Sequence, residues 1–319
     1  MDKSLAEPLV AFPVDSIIDN STTDFDLFLR IGDHFILYGS SGYKWCRDEL
    51  QGLLRNGLTH FLVRPQDQRK IKVYEKISTL PKMQKDEAPH KRIQSITDVA
   101  STFIQYLYEE PITPACVAKA KEIGVAIIDC MQEDKACIQA ISGLGDHDYY
   151  TYRHSARVAV YSVAIAIQMG LTDREKLTEI ALGGIFHDVG KKEISKEILN
   201  KTGALTEMEW KLMLSHPSLG FLAVANSVLT YVPREIILHH HEKMDGSGYP
   251  DGLDKTGLLM EVKIATVADI FDALTSTRTY QNKRTRFESL DFMKNKFLVS
   301  KIQKEPFMAL IACLGDEAK

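Results

Sequence analysis

Residues 174–191 read REKLTEIALGGIFHDVGK, and their apolar residues recur with the period of a helix that closes on His187 and Asp188. The helical pattern continues on both sides almost without interruption, and no strand pattern competes with it. It begins near Ser95, which together with Asp98 resembles a helix N-cap. Further helices are predicted over residues 113–134, 149–169, 174–187, 206–226, 233–242, 260–277 and 286–300. The predicted fold class is therefore mainly α, with an all-helical bundle domain.

The residues before this bundle predict a small mixed α/β domain. Between Phe25 and Lys76 the sequence is typical of strands in DLFLRIG, HFILYG, HFLVR and KVYEKI. One helix is predicted in WCRDELQGLLRNG, where Gly57 ends it. The charged segment 81–92 contains two prolines and is interpreted as a linker. The predicted domains are residues 1–80, a regulatory or oligomerising domain, and residues 93–319, the helical catalytic domain.

The composition is that of a globular protein. Hydrophobic residues make up 45% and charged residues 26%, which excludes a disordered or collagenous chain, and the net charge of -4 gives no reason to expect a nucleic acid polymer as partner. The five cysteines form no C-x-x-C pair, which suits a reducing compartment. No apolar run is long enough to cross a bilayer. We therefore expect a cytoplasmic protein without membrane insertion.

A cluster of histidines is the first sign of a site, because seven of the ten lie within residues 147–241. A lone histidine in a helix is more often hydrogen-bonded structure than a ligand, but these fall on several helices, which a bundle can aim at one point. Imidazole and carboxylate ligands without nearby thiolates suit iron, manganese, zinc or nickel. Asp188, beside His187, is the best residue to bridge two such ions. The cluster consists of His147, His154, His187, His216, His239, His240 and His241, with Asp269 on a further helix.

This ligand chemistry fits the hydrolysis of a phosphodiester, an anionic linkage that resists attack. Two divalent ions supply an activated water and neutralise charge on the phosphoryl oxygens. Asp188 and Lys191 are the predicted catalytic residues, and Lys191 is expected to offer its charge to a non-bridging phosphate oxygen. The alternative for Lys191 is an ordinary surface lysine at a helix end.

Two motifs, HDVGK at residues 187–191 and HHEKMDGSGYP at residues 240–250, resemble the HD-GYP family, a branch of the HD-domain metal-dependent phosphohydrolases. The likeness extends through YRHSARV, LTEMEWKLMLSHPSLG and VADIFDALTSTRTY. It implies an all-helical HD-type bundle, a centre of two or three metal ions that is often iron, and a role in signal transduction. The implied reaction is hydrolysis of the bacterial second messenger cyclic di-GMP to the linear dinucleotide pGpG or to GMP. It also implies that Lys191 and Arg278 contact phosphate. The implied metal ligands are His154, His187, Asp188, His216, His240, His241 and Asp269.

Two positions depart from the family pattern. Members with three metals resemble one another in having a glutamate where this chain has Tyr150, which favours a binuclear centre here. Many members have a basic residue where this chain has Gln281, so one phosphate contact is expected to be missing. Two alternatives stay open: a cyclic-dinucleotide-binding sensor module of low or no activity, and an HD-type phosphohydrolase acting on another nucleotide.

The loop KMDGSGYPDGLDKTG, residues 243–257, is rich in glycine and interrupts the helical pattern, which is typical of functional loops. Gly248 and Tyr249 are predicted substrate contacts, with Tyr249 either stacking on a base or marking a contact for a protein partner such as a diguanylate cyclase. Asp245 is predicted either to hydrogen-bond a ligating imidazole or to cap the loop. Asp272 is predicted to support a ligand or the structure rather than to bind metal. A homodimer is a further open expectation.

Overall fold

The computed structural model describes residues 8–19, 21–80, 87–144, 151–276 and 284–315. Contacts between Cα atoms divide the chain into two compact units, residues 1–83 and 84–319. The first unit is mixed and the second is helical, so the predicted fold class is confirmed. In the described ranges, no helix combines the length and the apolar character needed to span a membrane.

The first unit contains the strands β1 (Val10–Pro13), β2 (Leu27–Ile31), β3 (His34–Gly39) and β4 (His60–Val63), and the helices α1 (Arg47–Arg55) and α2 (Gln68–Ile77). The strands form an antiparallel sheet in the order β1-β4-β2-β3. Trp45 is fully buried in the core of this unit, where its ring lies 5.5 Å from that of Phe61, whereas Phe35 and Tyr38 on β3 are exposed.

One predicted strand of this unit is wrong. The segment KVYEKI lies in α2, and the real fourth strand is β1, which precedes the region that we considered. The buried residues of α2 include Ile71, Tyr74 and Ile77, whose spacing of three is that of one helix face. A short segment with β-branched residues was mistaken for a strand because the helical period needs a longer window to show.

The second unit contains the helical bundle. A 3₁₀ helix, Val189–Glu193, joins two of its helices. The α-helices are α3 (Pro89–Glu109), α4 (Pro114–Glu133), α5 (Ala136–Ala140), α6 (Thr151–Gln168), α7 (Arg174–Phe186), α8 (Lys196–Leu199), α9 (Glu207–Leu214), α10 (His216–Ala223), α11 (Tyr231–His239), α12 (Met260–Thr275), α13 (Arg286–Lys296) and α14 (Lys304–Leu314).

Two predicted boundaries in this unit are wrong because of proline. Helix α3 begins at Pro89, inside the predicted linker 81–92, since proline is tolerated in the first turn of a helix, where its missing N–H is not needed. The single helix predicted over 206–226 is two helices, α9 and α10, separated at Ser215. Pro217 follows at the start of α10, in the position that a helix start accepts and a helix interior does not.

Helices α6 and α7 lie together at the centre of the bundle, where α6 also packs against α3, α12 and α14. Their backbones approach closely at Gly184, since a Cβ atom built there would lie 2.5 Å from Cα of Ala159. Glycine at this position therefore sets the separation of the two helices, of which α6 contains His154 and α7 ends directly before His187.

Gly184→Ala is expected to lower the free energy of unfolding by about 1–3 kcal/mol, because the added methyl group meets main-chain atoms that cannot rotate away. Gly203→Ala is the matched control, since a Cβ atom there meets nothing within 4 Å. Chemical unfolding of the full chain measures both. Equal unfolding midpoints for the two variants would contradict the close contact between α6 and α7.

Candidate metal centre

The structure brings all seven predicted metal ligands together in the second unit. They form two groups, in each of which one ligand atom per residue lies within 4.8 Å of the others. All are buried except His241, which is partly exposed. One group consists of Asp188, His216, His240 and His241, and the other of His154, His187 and Asp269.

Three of the imidazoles lie just after the end of a helix, and each contacts carbonyl groups of its last turn. His187 Nδ1 lies 2.8 Å from the carbonyl oxygen of Gly184 at the end of α7, and His216 Nδ1 lies 2.7 Å from that of Met213 at the end of α9. His240 Nδ1 lies 3.1 and 3.0 Å from the carbonyl oxygens of two residues in the last turn of α11. A carbonyl oxygen only accepts, so Nδ1 of each ring is assigned the proton and Nε2 keeps its lone pair.

These lone pairs point at one another. His216 Nε2 lies 3.3 Å from His240 Nε2, and His187 Nε2 lies 3.4 Å from His154 Nε2, whose Nδ1 is tied to Asp272. Two nitrogens without a proton between them cannot form a hydrogen bond, so each pair needs a cation. A divalent metal ion fits the residues present, because it accepts both lone pairs.

Asp188 lies between the two groups. Its Oδ1 is 3.2 Å from His216 Nε2, while its Oδ2 is 3.4 Å from His187 Nε2 and 3.6 Å from His154 Nε2. Oδ1 is buried and accepts no hydrogen bond with proper geometry from the described residues. One carboxylate thus offers an oxygen to each group, which is the arrangement of a bridging ligand.

Asp269 on α12 also reaches both groups, with Oδ1 3.1 Å from His154 Nε2 and Oδ2 3.5 Å from His241 Nδ1. Asp188 was the predicted bridge because it stands beside His187, and Asp269 was not predicted for the same role. Asp269 is therefore a second carboxylate, besides Asp188, that offers one oxygen to each group.

The electrostatics keep these ligands in the form that binds metal. Burial by itself raises the pKa of Asp188, but Lys191 and His187 lower it more, and the net pKa lies well below that of a free carboxyl group. Burial likewise raises the pKa of Asp269, and His154 and His241 bring it well below the ordinary value. Burial, assisted by the neighbouring imidazoles, lowers the pKa of His240, so this ring is neutral at pH 7.

Asp272 orients the first histidine, as one of the sequence alternatives predicted. Its Oδ2 accepts a hydrogen bond from His154 Nδ1 at 2.7 Å and another from Arg157 Nη2 at 3.0 Å. Burial raises its pKa, but Arg157 and His154 lower it to about 2. We did not predict Arg157; the available signal was a charged residue within the apolar pattern of α6, one turn after His154.

A cavity of about 530 Å³ opens over the two groups. Lys191 lines it, with Nζ 2.6 Å from Asp188 Oδ2 and only 15% of its side chain exposed, so it is not an ordinary surface lysine. Tyr249 and Lys243 also line it, and we did not predict Lys243. The remaining lining residues are Thr151, His154, Leu199, Leu205, Trp210, Met213, His216, His240, His241, Glu242, Thr266, Asp269, Ile270, Ala273, Leu274 and Phe297.

The loop that carries Tyr249 is held by Glu242, a residue that was not predicted from the sequence. Glu242 is buried, and its Oε1 accepts hydrogen bonds from the backbone N–H groups of Asp251 at 2.7 Å and Gly252 at 2.9 Å. The Tyr249 ring lies 4.9 Å from that of His241 at an angle of 31°. The signal in the sequence was an acidic residue directly after the histidine run.

Gly248 and Asp245 both have structural roles in this loop. Gly248 does not line the cavity; instead a Cβ atom there would lie 2.4 Å from Cα of Glu242, so glycine is needed for close packing of the loop. Asp245 does not reach an imidazole but accepts hydrogen bonds from the backbone and hydroxyl of Ser247, so of the two alternatives the loop cap is right.

His239 is separated from its neighbours by the structure. It is buried at the end of α11, and its Nδ1 lies 4.0 Å from Glu242 Oε1, outside both groups. Four further residues of the sequence predictions, His147, Tyr150, Arg278 and Gln281, lie outside the described residues.

Comparison with known proteins matches residues 141–301, just over half of the chain, to the model of the HD domain. The chain belongs to the HD domain family. The seven residues of its centre all fall within this HD domain. The family match and relatives named as cyclic di-GMP phosphodiesterases are consistent with the predicted HD-GYP branch.

Two curated relatives show how far the similarity reaches. The cyclic di-GMP phosphodiesterase of Thermotoga maritima is 42% identical over 139 residues, which cover 43% of this chain and 38% of the relative. The 3'3'-cGAMP-specific phosphodiesterase 3 of Vibrio cholerae serotype O1 is 35% identical over 171 residues, which cover 52% of this chain and 36% of the relative. The chain thus spans less than two fifths of the length of either.

One solved structure shares the fold over nearly the whole chain. The HDG"Y"P protein Bd1817 from Bdellovibrio bacteriovorus superposes with a TM-score of 0.65 at 19% identity, covering 96% of this chain and 99% of its own. This likeness supports the architecture of the HD domain and its preceding unit.

Asp272→Asn is expected to weaken metal binding by about 10- to 100-fold, because the amide no longer holds the Nδ1 proton of His154 as a carboxylate does. Competition with a chromophoric chelator measures the affinity. Asp291→Asn, which changes an exposed aspartate on α13, is the matched control. Unchanged affinity in a folded Asp272→Asn variant, as judged by circular dichroism, would show that His154 does not depend on this carboxylate.

Proposed function

We propose that the protein is a metal-dependent phosphodiesterase that hydrolyses cyclic di-GMP to the linear dinucleotide pGpG or to GMP. The observation that carries the proposal is the pairing of unprotonated Nε2 atoms, His216 with His240 and His187 with His154, around the carboxylate of Asp188. The name of the Thermotoga maritima relative, a cyclic di-GMP phosphodiesterase, supports the choice of substrate.

The proposed cofactor is a pair of divalent ions, with iron preferred and manganese, zinc or nickel as alternatives. The two groups of ligands support two ions, and their donor set of imidazoles and carboxylates suits all four metals. When bound, such ions activate a water for attack and stabilise charge on the phosphoryl group. Asp188 is the proposed bridge, with Asp269 as a further carboxylate between the groups.

Side chains that line the cavity contribute positive charge and an apolar surface to the same reaction. Lys191 and Lys243 both line the cavity, and Lys191 Nζ lies 2.6 Å from Asp188 Oδ2. We expect the positive charge of Lys191 to attract a non-bridging phosphate oxygen beside this carboxylate. The apolar residues of the wall exclude water and strengthen these interactions with an anion. A cavity of about 530 Å³ suits a ligand of nucleotide size.

Tyr249 and Arg278 complete the proposed substrate contacts. Burial raises the pKa of Tyr249, so its hydroxyl keeps its proton and can donate to the substrate. Arg278 is proposed from the family resemblance alone. A protein partner such as a diguanylate cyclase at the GYP loop, a homodimer and a cytoplasmic location stay predictions from the sequence.

A second candidate is hydrolysis of a related cyclic dinucleotide, which the similarity to a 3'3'-cGAMP-specific phosphodiesterase favours. Both substrates share the cyclic phosphodiester ring that the centre addresses, and they differ in one base. The sensor alternative, in which the site binds substrate with little turnover, keeps its support from Tyr150 and Gln281.

The number of metal ions bound per chain is expected to depend on both groups of ligands. Wild-type protein purified without oxygen is expected to carry about two ions per chain, and His187→Ala about one, because it removes a ligand from one group. Asp188→Ala should carry fewer than His187→Ala, since the oxygens of Asp188 face both groups. Elemental analysis measures the content, with His34→Ala, an exposed histidine of the first unit, as control. Full metal content in both centre variants would refute the assignment.

The activity test uses the full chain loaded with iron or manganese and cyclic di-GMP as substrate, with 3'3'-cGAMP in parallel. Appearance of a linear product, followed by chromatography, is expected with at least one metal. Binding of cyclic di-GMP without any product would select the sensor alternative, and product from 3'3'-cGAMP alone would select the second candidate.

Lys191→Met refines the same test. It is expected to lower kcat/KM about 10- to 100-fold, which corresponds to the loss of one charged hydrogen bond to the phosphate. Lys196→Met, at an exposed lysine of α8, is the control. Metal content is measured alongside, because Lys191 contacts Asp188, and a Lys191→Met enzyme with full metal content and wild-type kinetics would contradict the proposed role.

A further inference from the structure

One wall of the cavity takes no part in holding metal. It is formed by residues of α9 and of the segment that precedes this helix. Its side chains are apolar, in contrast to the imidazoles and carboxylates of the floor. They belong to Leu199, Leu205, Trp210 and Met213.

Trp210 is the unusual member of this wall. It lines the cavity and yet remains 53% exposed, and no described aromatic ring stacks on it. Tryptophan is the side chain with the most to gain from burial, so a half-exposed indole at a ligand cavity is typical of a contact residue. Tyr249, by comparison, already has one face of its ring against His241.

Helix α9 does not use Trp210 as an anchor. None of its residues is buried, and its start is fixed by polar contacts instead. Thr206 and Glu209 form a reciprocal capping box, and Glu209 also pairs with Lys201 at 2.6 Å. The indole is thus presented on a helix whose position is secured by other residues.

The same helix connects the indole to the metal centre. Trp210 and Met213 are one turn apart and both line the cavity, and the Met213 carbonyl oxygen lies 2.7 Å from His216 Nδ1. His216 follows six positions after Trp210, just past the end of α9, and both residues line the same cavity. A ligand in this cavity can therefore contact the indole and the metal centre at once.

We propose that the indole of Trp210 stacks on a base of the substrate while its phosphodiester lies over the metal centre, and that this contact sets affinity for nucleotide diesters. The inference rests on the proposed function, because it names the residue that recognises the base at the same site. A stacked base suits either purine and any cyclic dinucleotide, so Trp210 selects for nucleotides as a class.

The fluorescence of Trp210 measures directly whether a ligand contacts its indole. The chain has two tryptophans, and the other, Trp45, is fully buried in the first unit. Adding a slowly hydrolysed phosphorothioate analogue of cyclic di-GMP to the metal-loaded full chain should quench the exposed fluorescence. Ribose 5-phosphate, which has no base, should not quench it, and Trp210→Phe should abolish the change.

A second experiment compares KM and kcat for cyclic di-GMP between wild type and the variants Trp210→Ala, Trp210→Phe and Met208→Ala. Trp210→Ala is expected to raise KM for cyclic di-GMP about tenfold with little effect on kcat, whereas Trp210→Phe retains stacking and stays within about threefold. Met208→Ala changes a residue of the same helix that is 69% exposed and does not line the cavity, and should match wild type. Metal content should be equal in all four proteins.

The outcomes separate the two proposals. Turnover of cyclic di-GMP by wild type, with no quenching and an unchanged KM in Trp210→Ala, overturns the stacking contact and leaves the phosphodiesterase intact. Base-dependent quenching without turnover keeps the stacking contact and removes the hydrolytic function. Quenching by ribose 5-phosphate as strong as by the dinucleotide analogue would also overturn base stacking.

Discussion

Hydrogen bonds between imidazole rings and the last carbonyl groups of three helices fix the centre of this protein. The final turn of any helix leaves carbonyl oxygens without a partner, and they carry partial negative charge. His187, His216 and His240 each follow such a turn and offer Nδ1 to it. Each ring is thereby held in one tautomer, with Nε2 free and directed into the bundle. Because the helix ends meet there, the lone pairs converge.

The remaining ligands depend on packing rather than on helix ends. His154 lies in the first turn of α6, where a helix leaves N–H groups rather than carbonyl groups unpaired, so its ring takes its orientation from Asp272 on α12. Asp269, one turn earlier on α12, faces the same point. The contact between α6 and α12 therefore supplies three residues to one site. Gly184, which lets α6 approach α7, sets how far His154 stands from His187.

Much of the centre was predictable because its chemistry is local in sequence. Potential ligands stand next to one another in the pair His187–Asp188 and in the run His239 to His241, so they can be recognised in the sequence. The family resemblance named all seven ligands that the structure brings together. The residues that support them were harder to predict. Arg157 and Glu242 look like ordinary charged residues, and only their burial beside partners far away in sequence shows their part in the site. The segment KVYEKI of α2 was wrongly predicted as a strand because six residues are too few to show the period of a helix.

The sequence by itself determined the helical class, the positions of most helices, and the set of metal-binding residue types, since periodicity and side-chain chemistry are properties of short segments. Tertiary structure alone decided that Asp269 reaches both groups as Asp188 does, and that Trp210 lines the cavity. These are distances between helices that lie far apart along the chain. Such distances depend on how closely backbones pack, as at Gly184 and Gly248, and no single segment carries that information.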